Sequence, residues 1–188
     1  GTPMAGYGVD APRLAKAVHA PLRARCTILW TDDRPWVLLT ADVLGYTHRF
    51  HEAVRGQVID LGVATADFVF TATHTHNGPL IAEDATNYTL YTVADGSAEA
   101  SAAAAYRTWL QDVLVDLVAE TLQRPRTACT LDYQVAAESF SINREGVGQA
   151  ETAVPILVAR GLDGRPVAGG FGYGCHPGAG GLRTALDP

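Results

Sequence analysis

The run Asp67-Phe68-Val69-Phe70-Thr71-Ala72 leads straight into Thr73-His74-Thr75-His76-Asn77-Gly78-Pro79, and this join constrains the chain more than any other stretch. Aromatic and β-branched residues fill the run, so it predicts a buried strand rather than a helix. Gly78-Pro79 ends it, since proline cannot donate to a ladder. Side chains alternate along a strand. His74 and His76 are therefore expected on one face, Thr73 and Thr75 on the other, with both imidazoles looking into one cavity at the strand's carboxyl end. Neutral imidazole is the commonest metal ligand near neutral pH, and zinc accepts it readily. The competing reading is a pair of surface histidines closing a strand. A closed zinc site takes four ligands, so the pair alone is half a site.

The rest of the sequence suits a folded α/β chain around such a strand. With 188 residues, 47% hydrophobic and 18% charged, it is long enough for one domain with a substantial core. Its apolar runs fall short of a bilayer span, and no basic stretch followed by an apolar one opens it. A net charge of -6 argues against a sequence-independent grip on nucleic acid, which needs a basic face. The cysteines, Cys26, Cys129 and Cys175, have no CxxC spacing and are expected as thiols, not a disulfide framework. The chain opens on Gly1, from which a fragment or a processed chain is expected and localisation stays open.

In chain order, the lead-in Gly1 to Gly8 has glycines that permit close backbone approach, and it reads as a plain surface loop or as the lining of a site. Residues 22–31 and 36–44 predict a hairpin around Asp32-Asp33-Arg34-Pro35. The second strand carries Asp42, a carboxylate in an apolar setting, which calls for a partner or a metal unless it faces the surface or bonds the backbone at the strand's end. Residues 47–61 predict a helix with Phe50, Val54, Val58 and Leu61 on one face, Thr47 as cap and Gly62 as stop. His48 and His51 belong to its solvated face. Strand, helix, strand in this order predicts a crossover unit and a mixed sheet flanked by helices. Residues 80–99 read as a long loop, a lid over the histidines or a plain excursion. Residues 101–123 predict a long helix stopped by Pro125. Strands are expected at 128–140, 154–160 and 166–176. The last runs through Gly169-Gly170-Phe171-Gly172-Tyr173-Gly174-Cys175 into His176-Pro177, so a second imidazole stands at a strand end.

Taken together, these residues resemble the N-terminal catalytic domain of the neutral/alkaline non-lysosomal ceramidase family. The matching stretches run in order: Gly6-Tyr7-Gly8, Val18-His19-Ala20-Pro21-Leu22 with Ala24-Arg25, Ala41-Asp42-Val43-Leu44-Gly45, Thr73 to Pro79, Ile142-Asn143-Arg144, and Cys175-His176-Pro177. Three departures stand out: Asn77 where Ser is usual, Glu145-Gly146 where Ser-Pro is expected, and Gly178 where Thr is common. The resemblance implies a zinc amidase cleaving the N-acyl bond of ceramide or a related lipid, with membrane-surface access to its substrate. It implies His74 and His176 as zinc ligands, and the matching strand-then-Pro context of the two sets them at the carboxyl ends of neighbouring strands. His76 is implied as a catalytic histidine outside the ligand set and Arg144 as a contact to substrate or to its developing charge. It also implies an N-terminal piece of a larger catalytic domain, since family members supply a Glu and a Tyr ligand from beyond this region. Asp42, Glu83, Asp84 and Glu138 are the carboxylates that could complete the site within the chain.

Two other functions compete with this one. A ligand-binding domain that keeps the fold and has lost the metal would share the strand pattern. A zinc amidase or esterase for another acyl compound would share the histidines too. For Arg144 itself, a surface ion pair with Glu145 or Glu138 is the plain alternative.

Overall fold

A computed structural model describes residues 1–7, 13–81, 93, 96–178 and 180–188. They form two compact units, Gly1–Arg124 with Pro177–Pro188, and Pro125–His176. In chain order the elements are β1 (Ala17–Val18), β2 (Ala24–Thr31), β3 (Arg34–Ala41), α1 (His48–Asp60), β4 (Phe68–Ala72), α2 (Ala98–Leu122), β5 (Cys129–Ala137), β6 (Ala153–Gly161), β7 (Pro166–Phe171) and β8 (Ala185–Leu186).

The first unit is built on the sheet β2-β3-β4. β2 and β3 form the expected hairpin, antiparallel, with Cys26 opposite Leu39 and Ile28 opposite Val37. β3 and β4 run parallel, Val37 opposite Phe68 and Leu39 opposite Phe70, so α1 is the crossover between them. Alternation then gives all three strands one common apolar face: Ala24, Cys26 and Ile28; Val37, Leu39 and Ala41; Phe68, Phe70 and Ala72. Phe50, Val54 and Val58 of α1 and Leu110, Leu114 and Val118 of α2 close over that face in one core cluster. A mixed sheet covered by helices is thus what the strand and helix periodicities predicted.

The helix ends follow from local chemistry. Thr47 caps α1, its Oγ1 accepting from Phe50 N at 3.2 Å. Gly62, at φ 92, ends it, its N–H bonding Ile59 O at 2.9 Å. Leu61 falls at the cap and is 41% exposed, so it leaves the buried face assigned to it from spacing. Ser97 caps α2 through Ala100 N, which starts the helix before the expected residue 101. Within it Trp109 is 54% exposed, while Leu110, Leu114 and Val118 are buried. No helix among the described residues is long and apolar enough to cross a membrane. The loop expected over residues 80–99 lies largely outside the described residues, Glu83 and Asp84 included.

The second unit is the antiparallel sheet β5-β6-β7. Tyr133 pairs with Leu157 and Leu157 with Gly170, with a register shift at Ala159/Arg160. The strand expected at 166–176 ends at Phe171: Gly172 N still bonds Pro155 O at 3.1 Å, and residues 173–176 lie beyond the ladder. β4 and β7 belong to different sheets, which corrects the expectation that His74 and His176 follow neighbouring strands.

Candidate metal centre

The strand leading to the histidines stops at Ala72, short of His74. Thr73 N then bonds Ala41 O at 3.1 Å and His74 N bonds Val43 O at 3.1 Å, so the chain follows the residues after β3 instead of extending straight. His74 takes φ 64, a left-handed conformation that costs a non-glycine residue about 1–3 kcal/mol and persists only where its surroundings enforce it. The two imidazoles therefore do not meet through strand alternation, as the sequence pattern implied. They meet because the turn at His74 brings its ring edge-on to that of His76, with centroids 4.9 Å apart at 79°.

The hydrogen bonds assign the ring protons. His74 Nδ1 lies 2.6 Å from Leu44 O, and a carbonyl only accepts, so Nδ1 carries the hydrogen and Nε2 keeps its lone pair. His76 Nε2 lies 3.3 Å from His74 Nε2; with His74 Nε2 as acceptor, His76 Nε2 is the donor. An imidazole whose Nδ1–H is held by a backbone carbonyl and whose Nε2 is unprotonated has the outer-shell arrangement of metal-ligating histidines. His74 fits a metal ligand on this ground, and His76 presents a nitrogen beside it. His74 and His76 both belong to a histidine group that could hold a metal ion.

The lead-in lines this site and is not a plain surface loop. Met4 and Ala5 are buried, and Ala5 N bonds Gly78 O while Leu80 N bonds Pro3 O. Gly6, at φ 106, lies so near the histidine loop that an added Cβ would fall 2.5 Å from His76 Cα. Tyr7 meets the His76 ring edge-on at 5.1 Å. On the far side of the motif Thr75 Oγ1 donates to Asp187 O and accepts from Asn77 N, and Asp187 N bonds Asn77 O.

Asp42 is buried at 3% exposure and has protein partners. Its Oδ2 accepts from Arg23 N at 2.8 Å, and Oδ1 lies 3.6 Å from Arg25 Nη1. Those contacts tie the end of β3 to the entry of β2, which accounts for the carboxylate structurally.

Arg144 and His176 belong to the second unit and meet there. Arg144 Nη2 lies 3.0 Å from His176 Nδ1, in place of the ion pair with Glu145 or Glu138 that a surface arginine would make. A guanidinium only donates, so His176 Nδ1 is the accepting nitrogen. Two residues that the sequence pattern did not single out for this role shape the pair. Asn143 takes Glu145 N on its Oδ1 at 3.0 Å and donates to Val147 O through Nδ2, folding the loop that presents Arg144. Tyr173 Oη donates to Glu138 O at 3.3 Å, receives Ser141 N at 3.2 Å and meets Ser141 Oγ at 2.9 Å. It thereby joins the segment after β5 to the one that ends in His176. Asn before Arg was visible as part of the motif, but no local pattern marks a tyrosine whose partners lie over 30 residues away.

Among solved structures the chain is similar to a ceramidase complexed with C2 and to the neutral ceramidase of Pseudomonas aeruginosa. Each match has a TM-score of 0.67 at 18% identity and covers 93% of this chain and 29% of the ceramidase chain. The chain therefore has the fold of a ceramidase segment and spans under a third of those chains' length. No protein-family model and no curated protein sequence matches it.

Proposed function

We propose that this chain carries part of the active site of a zinc-dependent hydrolase that cleaves the N-acyl amide bond of ceramide or a related lipid. The observation that carries the proposal is the His74 ring, with Nδ1–H on Leu44 O and Nε2 facing His76, in a chain that shares the ceramidase fold. His74 would be a zinc ligand through Nε2. His176 is proposed as its companion on the family resemblance. Bound zinc would polarise the amide carbonyl and lower the pKa of a water to about 7.

The chain's own side chains supply the remaining chemistry. On the family resemblance His76 stays outside the ligand set, and its Nε2 proton is then available to the leaving amine. Arg144 offsets negative charge on the carbonyl oxygen as the tetrahedral species forms. In its present contact Arg144 occupies the basic nitrogen of His176. Ligation through that nitrogen and the guanidinium contact exclude each other, so zinc on His176 would free Arg144 for substrate.

The test is zinc titration beside an assay on an N-acyl sphingosine, in the full-length protein that contains this chain. His74→Asn is the variant of choice, because Asn tolerates the left-handed backbone where Ala is strained. It should remain folded, lose zinc and lose turnover. His76→Gln should keep zinc and lose most of its kcat. Equal zinc affinity in wild type and His74→Asn would overturn the assignment.

A further inference from the structure

Arg13 is a buried cation that neither the sequence motif nor the hydrolytic chemistry accounts for. It is 7% exposed, and a guanidinium stays charged in any protein setting. Burying it is costly unless its donors are matched. Nη1 donates to Asn77 Oδ1 at 2.7 Å and to Arg183 O at 2.7 Å; Nη2 donates to Ala5 O at 2.6 Å and to His76 O at 2.5 Å. The guanidinium carbon also stands 5.0 Å from the centre of the Tyr7 ring, within cation-π range.

Two of these contacts converge on one residue. Arg13 holds the main chain of His76 directly through its carbonyl. It holds the His76 ring indirectly, since Tyr7 lies against the guanidinium and meets the imidazole edge-on at 5.1 Å. The bond to Asn77 Oδ1 also fixes that amide, whose Nδ2 then faces Gly181 O at 3.3 Å. A guanidinium's planar fork fits four acceptors in two pairs; an ammonium reaches fewer of them at once.

We propose that Arg13 is a positioning residue for His76: it sets the main chain and, through Tyr7, the ring of the imidazole that acts beside the metal ligand. This rests on the role given to His76 above. The closing experiment therefore reads the imidazole itself before any metal or substrate is added.

Long-range proton–nitrogen spectra of the histidine rings should be recorded for wild type, Arg13→Gln and Arg13→Lys in the metal-free protein. The expected result is displaced His76 signals in Arg13→Gln, a smaller displacement in Arg13→Lys, and unchanged signals for His48 and His51 on α1. A merely structural role would leave a folded variant with wild-type His76 signals, and that result in either variant overturns the proposal. Arg13→Lys keeps the charge and decides the matter if Arg13→Gln does not fold. Zinc titration of the same samples is the second readout, with affinity expected to match wild type in both variants, since His76 is taken to lie outside the ligand set. A wild type that takes up no zinc, together with displaced His76 signals in the variants, would sink the metal assignment and leave the positioning role standing.

Discussion

Gly6 is the tightest steric constraint on the histidine loop, because its missing side chain is the space in which His76 stands. A Cβ there would lie 2.5 Å from His76 Cα and 2.8 Å from Cβ, on a residue already at φ 106. Gly6→Ala should therefore displace His76 or the lead-in, lowering Tm and moving the His76 ring signals; unchanged ring signals in a folded variant would contradict the packing. The Gly-Tyr-Gly pattern hinted at this approach, but not at its target. Alternation likewise put His74 and His76 on one face for the wrong reason, since a single left-handed residue resets the direction of the chain and leaves no mark in hydrophobic periodicity. A second residue-scale expectation concerns acid. Arg34 Nη2 donates to Asp67 Oδ1 at 2.7 Å and its Nε to Oδ2, and this hydrogen bonding holds the Asp67 carboxyl below its ordinary range. A carboxyl depressed in the folded state adds stability that is fully present above its unfolded pKa of about 3.9 and is lost as pH falls through the lower folded value. Asp67→Asn should flatten the loss of Tm below about pH 4, measured against wild type, and leave the neutral-pH slope alone.

At the scale of elements, the face that α1 and α2 cover is where periodicity was most informative. The β2-β3 hairpin, the α1 cap at Thr47 and the parallel return into β4 follow from patterns within a few residues of each other, so they could be read without tertiary knowledge. β1 and β8 could not. They are two-residue strands paired across the chain, Ala17 with Ala185 and Val18 with Leu186, and such short contacts have no period. α2 shows how the core depends on register. Leu114 is fully buried against the sheet and α1, and Leu114→Ala should cost about 2–5 kcal/mol by chemical denaturation. The same packing protects a thiol. Cys26 on β2 is half-buried and burial pushes its pKa up, opposed in part by a hydrogen bond with Thr121 of α2. Cys129, at the start of β5, is exposed. Native protein should react with a disulfide reagent at Cys129 well before Cys26, and mass mapping of the modified peptides checks the order.

For the molecule as a whole, the two units differ in how they treat apolar surface. The first buries its sheet face under two helices. The second leaves β5 open: Leu131, Tyr133 and Val135, on one face by alternation, are 52%, 66% and 56% exposed, while Asp132 on the other face pairs with Arg160 at 2.5 Å. Alternation predicts such a strand correctly, yet it says which residues share a face and nothing about what covers that face. Contiguous exposed apolar surface marks either an interaction surface or an aggregation liability, and among the described residues β5 pairs with β6 alone, at the edge of the order β5-β6-β7. In isolation the chain should therefore bind an apolar dye and self-associate as its concentration rises. Replacing Leu131 and Val135 by Thr keeps β propensity while removing apolar area. At exposed positions such changes alter stability by only about 0.5 kcal/mol each, so Tm should hold while dye fluorescence and light scattering both fall. Undiminished scattering in a variant with wild-type Tm would mean that the association runs through another surface.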